Sequence, residues 1–362
     1  MKKICFLSPK AYPLFNNKIH APLGGGTEVQ LYLLARELSS YPDVEVSFIV
    51  ANDGEPAQET YENIDIFKSF QFKDILIKRI SDFYKTMRKV DADIYIQSTL
   101  TAFSGMIALL CRLRGKKFVY RLASDSEVDG RYEQERGVFI DYISKFVFKF
   151  AHLVIVQNAG QQEVLLGRKV KNISLLRSGM DANDSVVQKE DFVLWVGRSV
   201  ETKRPELFIQ LAKQIPEIRF VMILSGNPDN RLHQIIKNKC KEVLNLELHE
   251  SLSFNETKGY FQKARIFIST SDMEGFPMVF LQAAANRTPI VSLYVDPEGI
   301  LSERKCGLFS QGNFFLLKGQ VSELLRDGNL YQELAENGHN FIQENCAITR
   351  ITKQLHEKLM KL

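Results

Sequence analysis

The chain has 362 residues, more than one core usually serves, with 45% hydrophobic and 25% charged residues, an ordinary globular balance. Its formal charge of +4 is spread without a dense basic run, which argues against a dedicated nucleic-acid binder but suits an anionic substrate or weak contact with an anionic membrane. Five cysteines stand far apart with no Cys-x-x-Cys pair, as expected of buried free thiols in a reducing compartment.

The opening Met1-Lys2-Lys3-Ile4-Cys5-Phe6-Leu7 is basic, then briefly apolar, and predicts a first strand rather than a signal peptide. Further strands are expected at residues 44–50, 93–97, 117–120, 153–157 and 173–176, with helices at 28–38, 73–89, 102–113 and 135–150 between them. The longest apolar stretch, 103–110, contains Ser104 and Gly105 and is too short to span a bilayer. A cytoplasmic protein, peripheral at the inner face of the membrane at most, is the expectation. In residues 142–150 (YISKFVFKF) aromatics alternate with Lys145 and Lys149, a core stripe with two solvated lysines in preference to a membrane face.

Residues 179–190 (GMDANDSVVQKE) lack periodicity and read as a linker between domains at 1–178 and 191–340. The second half repeats the alternation: strands at 192–196, 219–224, 246–249, 266–270 and 289–293, helices at 205–214 and 230–244. Such alternation predicts an α/β protein of two doubly wound, Rossmann-like domains, their parallel sheets covered on both faces. The last segment, 341–362, is helical in pattern, and periodicity does not decide which domain it joins.

In a doubly wound sheet, ligands bind beyond the carboxyl ends of strands, and the least generic segments fall there. Gly24-Gly25-Gly26-Thr27-Glu28 follows the first strand and opens a helix, where glycine lets the backbone approach a phosphate. Arg121 to Asp129 (RLASDSEVD) follows the strand at 117–120. Gly197-Arg198, with Lys203-Arg204-Pro205 behind it, offers a planar fork and a point charge to a diphosphate. Ser225-Gly226-Asn227 and Glu274-Gly275-Phe276-Pro277 end two more strands, and Glu274 is suited to accept from sugar hydroxyls or to cap a helix. Two domains facing across a cleft would bring these loops together.

Other patterns carry no site. Asp91-Ala92-Asp93 has the form of a metal-binding Asp-x-Asp but sits at the wrong end of its strand, and the six histidines have no metal-ligand spacing. There is no Gly-x-Ser-x-Gly elbow.

Together these segments resemble the retaining glycosyltransferases of family 4, which have the GT-B fold. Trp195-Val196-Gly197-Arg198 with Lys203-Arg204-Pro205-Glu206 is similar to the family's donor-phosphate segment. Glu274-Gly275-Phe276-Pro277 through Thr288-Pro289-Ile290-Val291 is similar to its sugar-binding signature, and residues 24–28 to its glycine loop. The resemblance implies that Arg198 and Lys203 bind the donor diphosphate and that Glu274 holds the transferred sugar, these three being the catalytic candidates. Donor contacts are expected from Gly25, Gly26, Gly197, Gly226, Gly275, Phe276, Met278, Val279 and Gln282. It also implies metal-independent transfer with retention, no cofactor, a nucleotide-sugar donor (UDP-linked in preference to GDP-linked), and a saccharide or lipid-linked acceptor in polysaccharide or glycoconjugate biosynthesis.

Three positions depart from the pattern. Gln282 stands where the family has a ribose-binding glutamate, so the charge of a carboxylate acceptor is missing. Arg287 replaces a glycine before Thr288-Pro289, and the loop RLASDSEVD has no histidine, leaving Arg121 and Asp125 as the expected acceptor-side residues. Two alternatives share the architecture: a nucleotide-sugar epimerase, and a non-catalytic scaffold that binds a partner. Oligomeric state is not legible.

Overall fold

In this computed structural model, residues 1–16, 25–52, 54, 56–182, 184 and 187–362 are described. Gly24 of the glycine loop lies outside them. The chain forms two units: Met1–Phe15 with Thr27–Gly179 and Ile348–Leu362, and Asn16–Gly26 with Met180–Ala347.

The first unit begins β1 (Lys2–Leu7), α1 (Pro13–Asn16), α2 (Gly26–Leu38), β2 (Val44–Val50), β3 (Gln58–Tyr61) and β4 (Ile64–Lys68). It continues α3 (Leu76–Val90), β5 (Ile94–Ser98), α4 (Ser104–Leu113), β6 (Lys117–Arg121), α5 (Arg131–Arg136), α6 (Val138–Phe150), β7 (Leu153–Val156), α7 (Ala159–Gly167) and β8 (Ile173–Leu175). Its eight strands lie in the order β3-β4-β2-β1-β5-β6-β7-β8, parallel throughout except that β3 runs antiparallel to β4. Ile4, Cys5 and Phe6 at the centre of the sheet are fully buried on both of its faces, which is why β1 reads as a continuous apolar run.

Two of the differences from the expected elements have a local cause. The β3–β4 hairpin goes unpredicted because β3 is a polar edge strand and its turn uses Glu62 at φ 52° in place of glycine or asparagine. The helix expected at 135–150 is broken at Gly137 (φ 81°), which separates α5 from α6. Helix α6 buries Ile140, Ile143, Val147 and Phe148 and leaves Tyr142 69% exposed, so its apolar stripe is a core stripe. Asp91 caps α3 in a left-handed conformation and pairs with Arg114 at 2.8 Å and Lys116 at 3.2 Å, a structural role.

The second unit contains β9 (Phe192–Arg198), α8 (Pro205–Gln214), β10 (Arg219–Ser225), α9 (Arg231–Lys241), β11 (Leu246–Glu250) and α10 (Phe254–Lys263). There follow β12 (Ile266–Ser269), α11 (Met278–Ala285), β13 (Ile290–Ser292), β14 (Gly307–Phe309), α12 (Phe314–Arg326) and α13 (Gly328–Phe341). The strands are all parallel, in the order β11-β10-β9-β12-β13-β14. Local chemistry sets the helix starts: Ser253 and Glu256 form a capping box on α10, Asn230 caps α9, and Pro205 opens α8.

The segment expected to link the domains is tied down near both of its ends. Met180 bridges to Ala347, and Glu190 donates its N–H to the Lys263 carbonyl at 2.7 Å. The last helix, α14 (Ile348–Met360), packs in the first unit. Lys2 Nζ donates to the carbonyls of Leu359 and Met360 at 3.0 and 3.2 Å, where the helix dipole favours a cation. Among the described residues no helix is long and apolar enough to cross a membrane.

Candidate functional site

In the second sheet the strand order reverses between β9 and β12, and at such a switch point the connections leave in opposite directions, opening a crevice beyond the carboxyl ends. Arg198 ends β9 and is exposed. The turn beyond it, Glu201–Lys203, closes on Arg204, whose left-handed backbone (φ 47°) lets Pro205 begin α8 at once. Glu274 lies in the loop after β12. Lys203 Nζ and Glu274 Oε1 form an ion pair, their side chains 18% and 19% exposed.

A second set of bonds holds the two loops in register. Trp195 Nε1 donates to Thr270 Oγ1 at 2.9 Å, and Thr270 Oγ1 donates to the Lys203 carbonyl at 2.7 Å. Asp272 N donates to the Thr202 carbonyl at 2.9 Å, and Arg204 Nη1 to Asp272 Oδ1 at 3.1 Å. Trp195, Thr270, Thr202 and Asp272 are the positioning residues that sequence reasoning missed, because each is defined by a partner distant in the chain.

The glycines here have steric reasons. Trp195 and Gly197 lie on the same face of β9, and a Cβ on Gly197 would sit 2.7 Å from the Trp195 ring. Gly226, at φ +129°, follows β10, and a Cβ there would lie 2.6 Å from Ser199 Oγ. After Gly275, Phe276 is buried and Pro277 leads into α11, whose first residues Met278 and Val279 are half-buried and carry the free N–H groups of a helix start. Gln282 faces inward from the second turn of α11, 8% exposed. Arg287 is left-handed (φ 52°), the conformation that glycine adopts without strain, and it pairs with Glu336 at 3.2 Å.

Gly25 precedes α2 and Gly26 is its first residue. Asp125 begins a short 3₁₀ turn after β6, where its Oδ1 accepts from Asn158 Nδ2 at 3.0 Å and Gln161 Nε2 at 2.8 Å. Arg121 corrects the sequence expectation. It is 2% exposed, and its guanidinium donates to Ser178 Oγ at 2.8 Å and to the Leu122 carbonyl, so it braces the interior and does not face a ligand. Burial pushes its guanidinium down to about 10 against the favourable charge of Glu127. The reason is register: residue 121 is the last of β6 and points into the unit, whereas Asp125 lies beyond the strand end. Among the described residues no group of three or more His, Cys, Asp or Glu is placed to hold a metal ion.

Residues 181–341, nearly the whole second unit, match the family model described as glycosyl transferases group 1. A Campylobacter jejuni GalNAc-alpha-(1->4)-GalNAc-alpha-(1->3)-diNAcBac-PP-undecaprenol alpha-1,4-N-acetyl-D-galactosaminyltransferase is 22% identical over 93% of this chain and 94% of its own. Among solved structures, a sucrose-phosphate synthase from Thermosynechococcus elongatus superposes with a TM-score of 0.81 at 17% identity, covering 100% of this chain and 99% of its own. An E. coli structure described as trehalose-6-phosphate bound with UDP-2-fluoro glucose superposes with a TM-score of 0.69 at 12% identity, covering 100% and 99%. Two α/β units with parallel sheets and these likenesses agree: residues 181–341 are a group 1 glycosyltransferase domain, and the chain has the GT-B fold.

Proposed function

We propose that this glycosyltransferase moves a sugar, with retention and without a metal, from a UDP-linked donor to a saccharide or lipid-linked acceptor. The observation that carries this reading is the pairing of Lys203 with Glu274 at the switch point of the second sheet. Arg198 and Lys203 take the diphosphate and stabilise the charge that develops on it as the sugar departs. Without donor, Glu274 neutralises Lys203; when phosphate oxygens take the ammonium, the carboxylate is released to accept from sugar hydroxyls. The N–H groups at the start of α11, near Met278 and Val279, add donors for phosphate or sugar.

Gln282 holds the ribose through its amide, and the glycine turns at Gly25-Gly26, Gly197, Gly226 and Gly275 allow close backbone approach. Asp125, whose Oδ1 is fixed by two amides, presents its other oxygen on the acceptor side. The departing phosphate accepts the acceptor's proton, so no protein nucleophile is assigned. An undecaprenol-linked acceptor in the Campylobacter relative and a UDP-sugar in the E. coli structure support the choice of substrates.

Thermal unfolding with a panel of nucleoside diphosphates and nucleotide-sugars tests the site. A ligand at a hundred times its dissociation constant adds about 2.7 kcal/mol. Wild type is expected to be stabilised by UDP and its sugars, Arg198→Ala to lose the effect, and Glu274→Ala to lose only the sugar-dependent part. Transfer should persist in EDTA. Sugar conversion without an acceptor would identify an epimerase, and silence across the panel a binding scaffold.

A further inference from the structure

The loop that carries Arg198 is anchored from behind by a chain of polar side chains that the proposed reaction does not use. Ser199, 2% exposed, donates its N–H to the Ser225 carbonyl at 2.8 Å, and its hydroxyl lies 3.1 Å from His233 Nδ1. His233, on α9, is fully buried. Its Nε2 lies 2.8 Å from Glu250 Oε1 at the end of β11, and Glu250 Oε2 accepts from Lys237 Nζ at 2.6 Å, one helical turn beyond His233.

The donor and acceptor roles follow from the last member. Burial alone would raise the Glu250 carboxyl, but hydrogen bonds from Lys237 and His233 outweigh it and hold the group below its ordinary range. An ionised carboxylate only accepts, so Nε2 carries a proton, and in the neutral ring Nδ1 accepts from the Ser199 hydroxyl. Each bond is directional, and the chain runs from the edge strand β11 through α9 to the turn after β9.

Gly226 marks the same point from the third strand. A Cβ there would lie 2.6 Å from Ser199 Oγ, so the glycine after β10 leaves room for the hydroxyl. A buried imidazole beside a half-buried carboxylate carries a desolvation cost that an apolar filling would avoid. What they add over apolar residues is a fixed position for the one hydroxyl next to Arg198.

We propose that Ser199, His233 and Glu250 are positioning residues for the donor diphosphate, a relay that fixes the Gly197–Ser199 backbone and thereby the origin of the Arg198 side chain. The proposal rests on the donor reading above. It separates two parts of donor binding: the diphosphate depends on the relay, and the nucleoside does not.

The test titrates UDP, uridine and inorganic pyrophosphate into the full chain as wild type, Ser199→Ala, His233→Asn and Glu250→Gln, with thermal unfolding of each. Ser199→Ala removes only an oxygen and Glu250 is partly exposed, so both variants should fold. In Ser199→Ala and His233→Asn, affinity for UDP and pyrophosphate is expected to fall about tenfold, a difference of about 1.4 kcal/mol, with uridine unchanged. Glu250→Gln, which keeps an acceptor for Nε2, should show a smaller loss in the same ratio. Equal losses for UDP and uridine, or unchanged UDP affinity in Ser199→Ala, would overturn the relay. Wild type that binds pyrophosphate but not UDP defeats the UDP assignment, and pyrophosphate then reads the relay. Wild type that binds neither overturns both.

Discussion

Lys203 Nζ and Glu274 Oε1 are bonded to each other although 71 positions separate them, and each stands in a loop that follows a strand at the switch point of the second sheet. The Trp195–Thr270–Lys203 chain sets this meeting by tying the two loops together before any ligand arrives. Preorganisation of this kind places charge before the reaction demands it.

The pair should matter far more to activity than to stability. A partly exposed ion pair contributes about 0–1 kcal/mol to folding. Lys203→Met and Glu274→Gln are each expected to shift unfolding by no more than that, while kcat/KM falls about 10²–10³-fold for Lys203→Met. Urea unfolding beside steady-state kinetics decides it, and a loss of stability that parallels the loss of rate would make the pair structural.

Thr270 is fully buried between two partners. Thr270→Val keeps the shape but leaves the Trp195 indole N–H and the Lys203 carbonyl without this hydroxyl. The expected cost is about 1–3 kcal/mol in chemical denaturation, accompanied by weaker UDP binding as Lys203 is released. Unchanged UDP affinity would show that Lys203 is held in place by other contacts.

Arg121 and Asp125 should separate cleanly. Arg121→Ala opens a cavity and takes one of two hydrogen bonds from the Ser178 hydroxyl, which keeps Gln157, so a loss of about 3 kcal/mol is expected. Asp125→Asn keeps the hydrogen-bonding shape and should leave stability within about 1 kcal/mol while raising the KM for acceptor. Unchanged kinetics in Asp125→Asn would remove this residue from the acceptor side.

Lys189 supplies the pH dependence. Its ammonium donates to the carbonyls of Asn286 and Phe261 and to Thr288 Oγ1 at 2.8, 3.5 and 2.7 Å. Burial, with Arg287 and Arg265 nearby, pushes it down to about 7. Between there and the ordinary lysine value of about 10.4 the unfolded chain binds more protons, so stability should rise as pH rises through this window. Below it the folded state bears the buried charge in full. Urea midpoints at about pH 6, 8 and 9.5 should climb for wild type and climb less for Lys189→Met. Equal slopes would place the titration elsewhere.

The sequence by itself determined the alternation of strands and helices, because parallel strands buried on both faces must be continuous apolar runs and the helices covering them must be amphipathic. It also pointed to the strand ends as the candidate site, because glycine, arginine and glutamate clustered there suit ligand binding. What it left open was set by contacts between distant positions. Strand β3 is polar and β14 is three residues long, so only pairing reveals them. Helix α14 joined the first unit through Lys2 and Asp43, partners more than 300 positions away. Arg121 and Asp125 looked alike in their loop, and the pleat of β6 turned one inward. Lys203 and Glu274 looked like separate candidates, and the threonine and tryptophan behind them made them a pair. Periodicity reports the local face of an element; which side chain meets which is decided when the sheet closes.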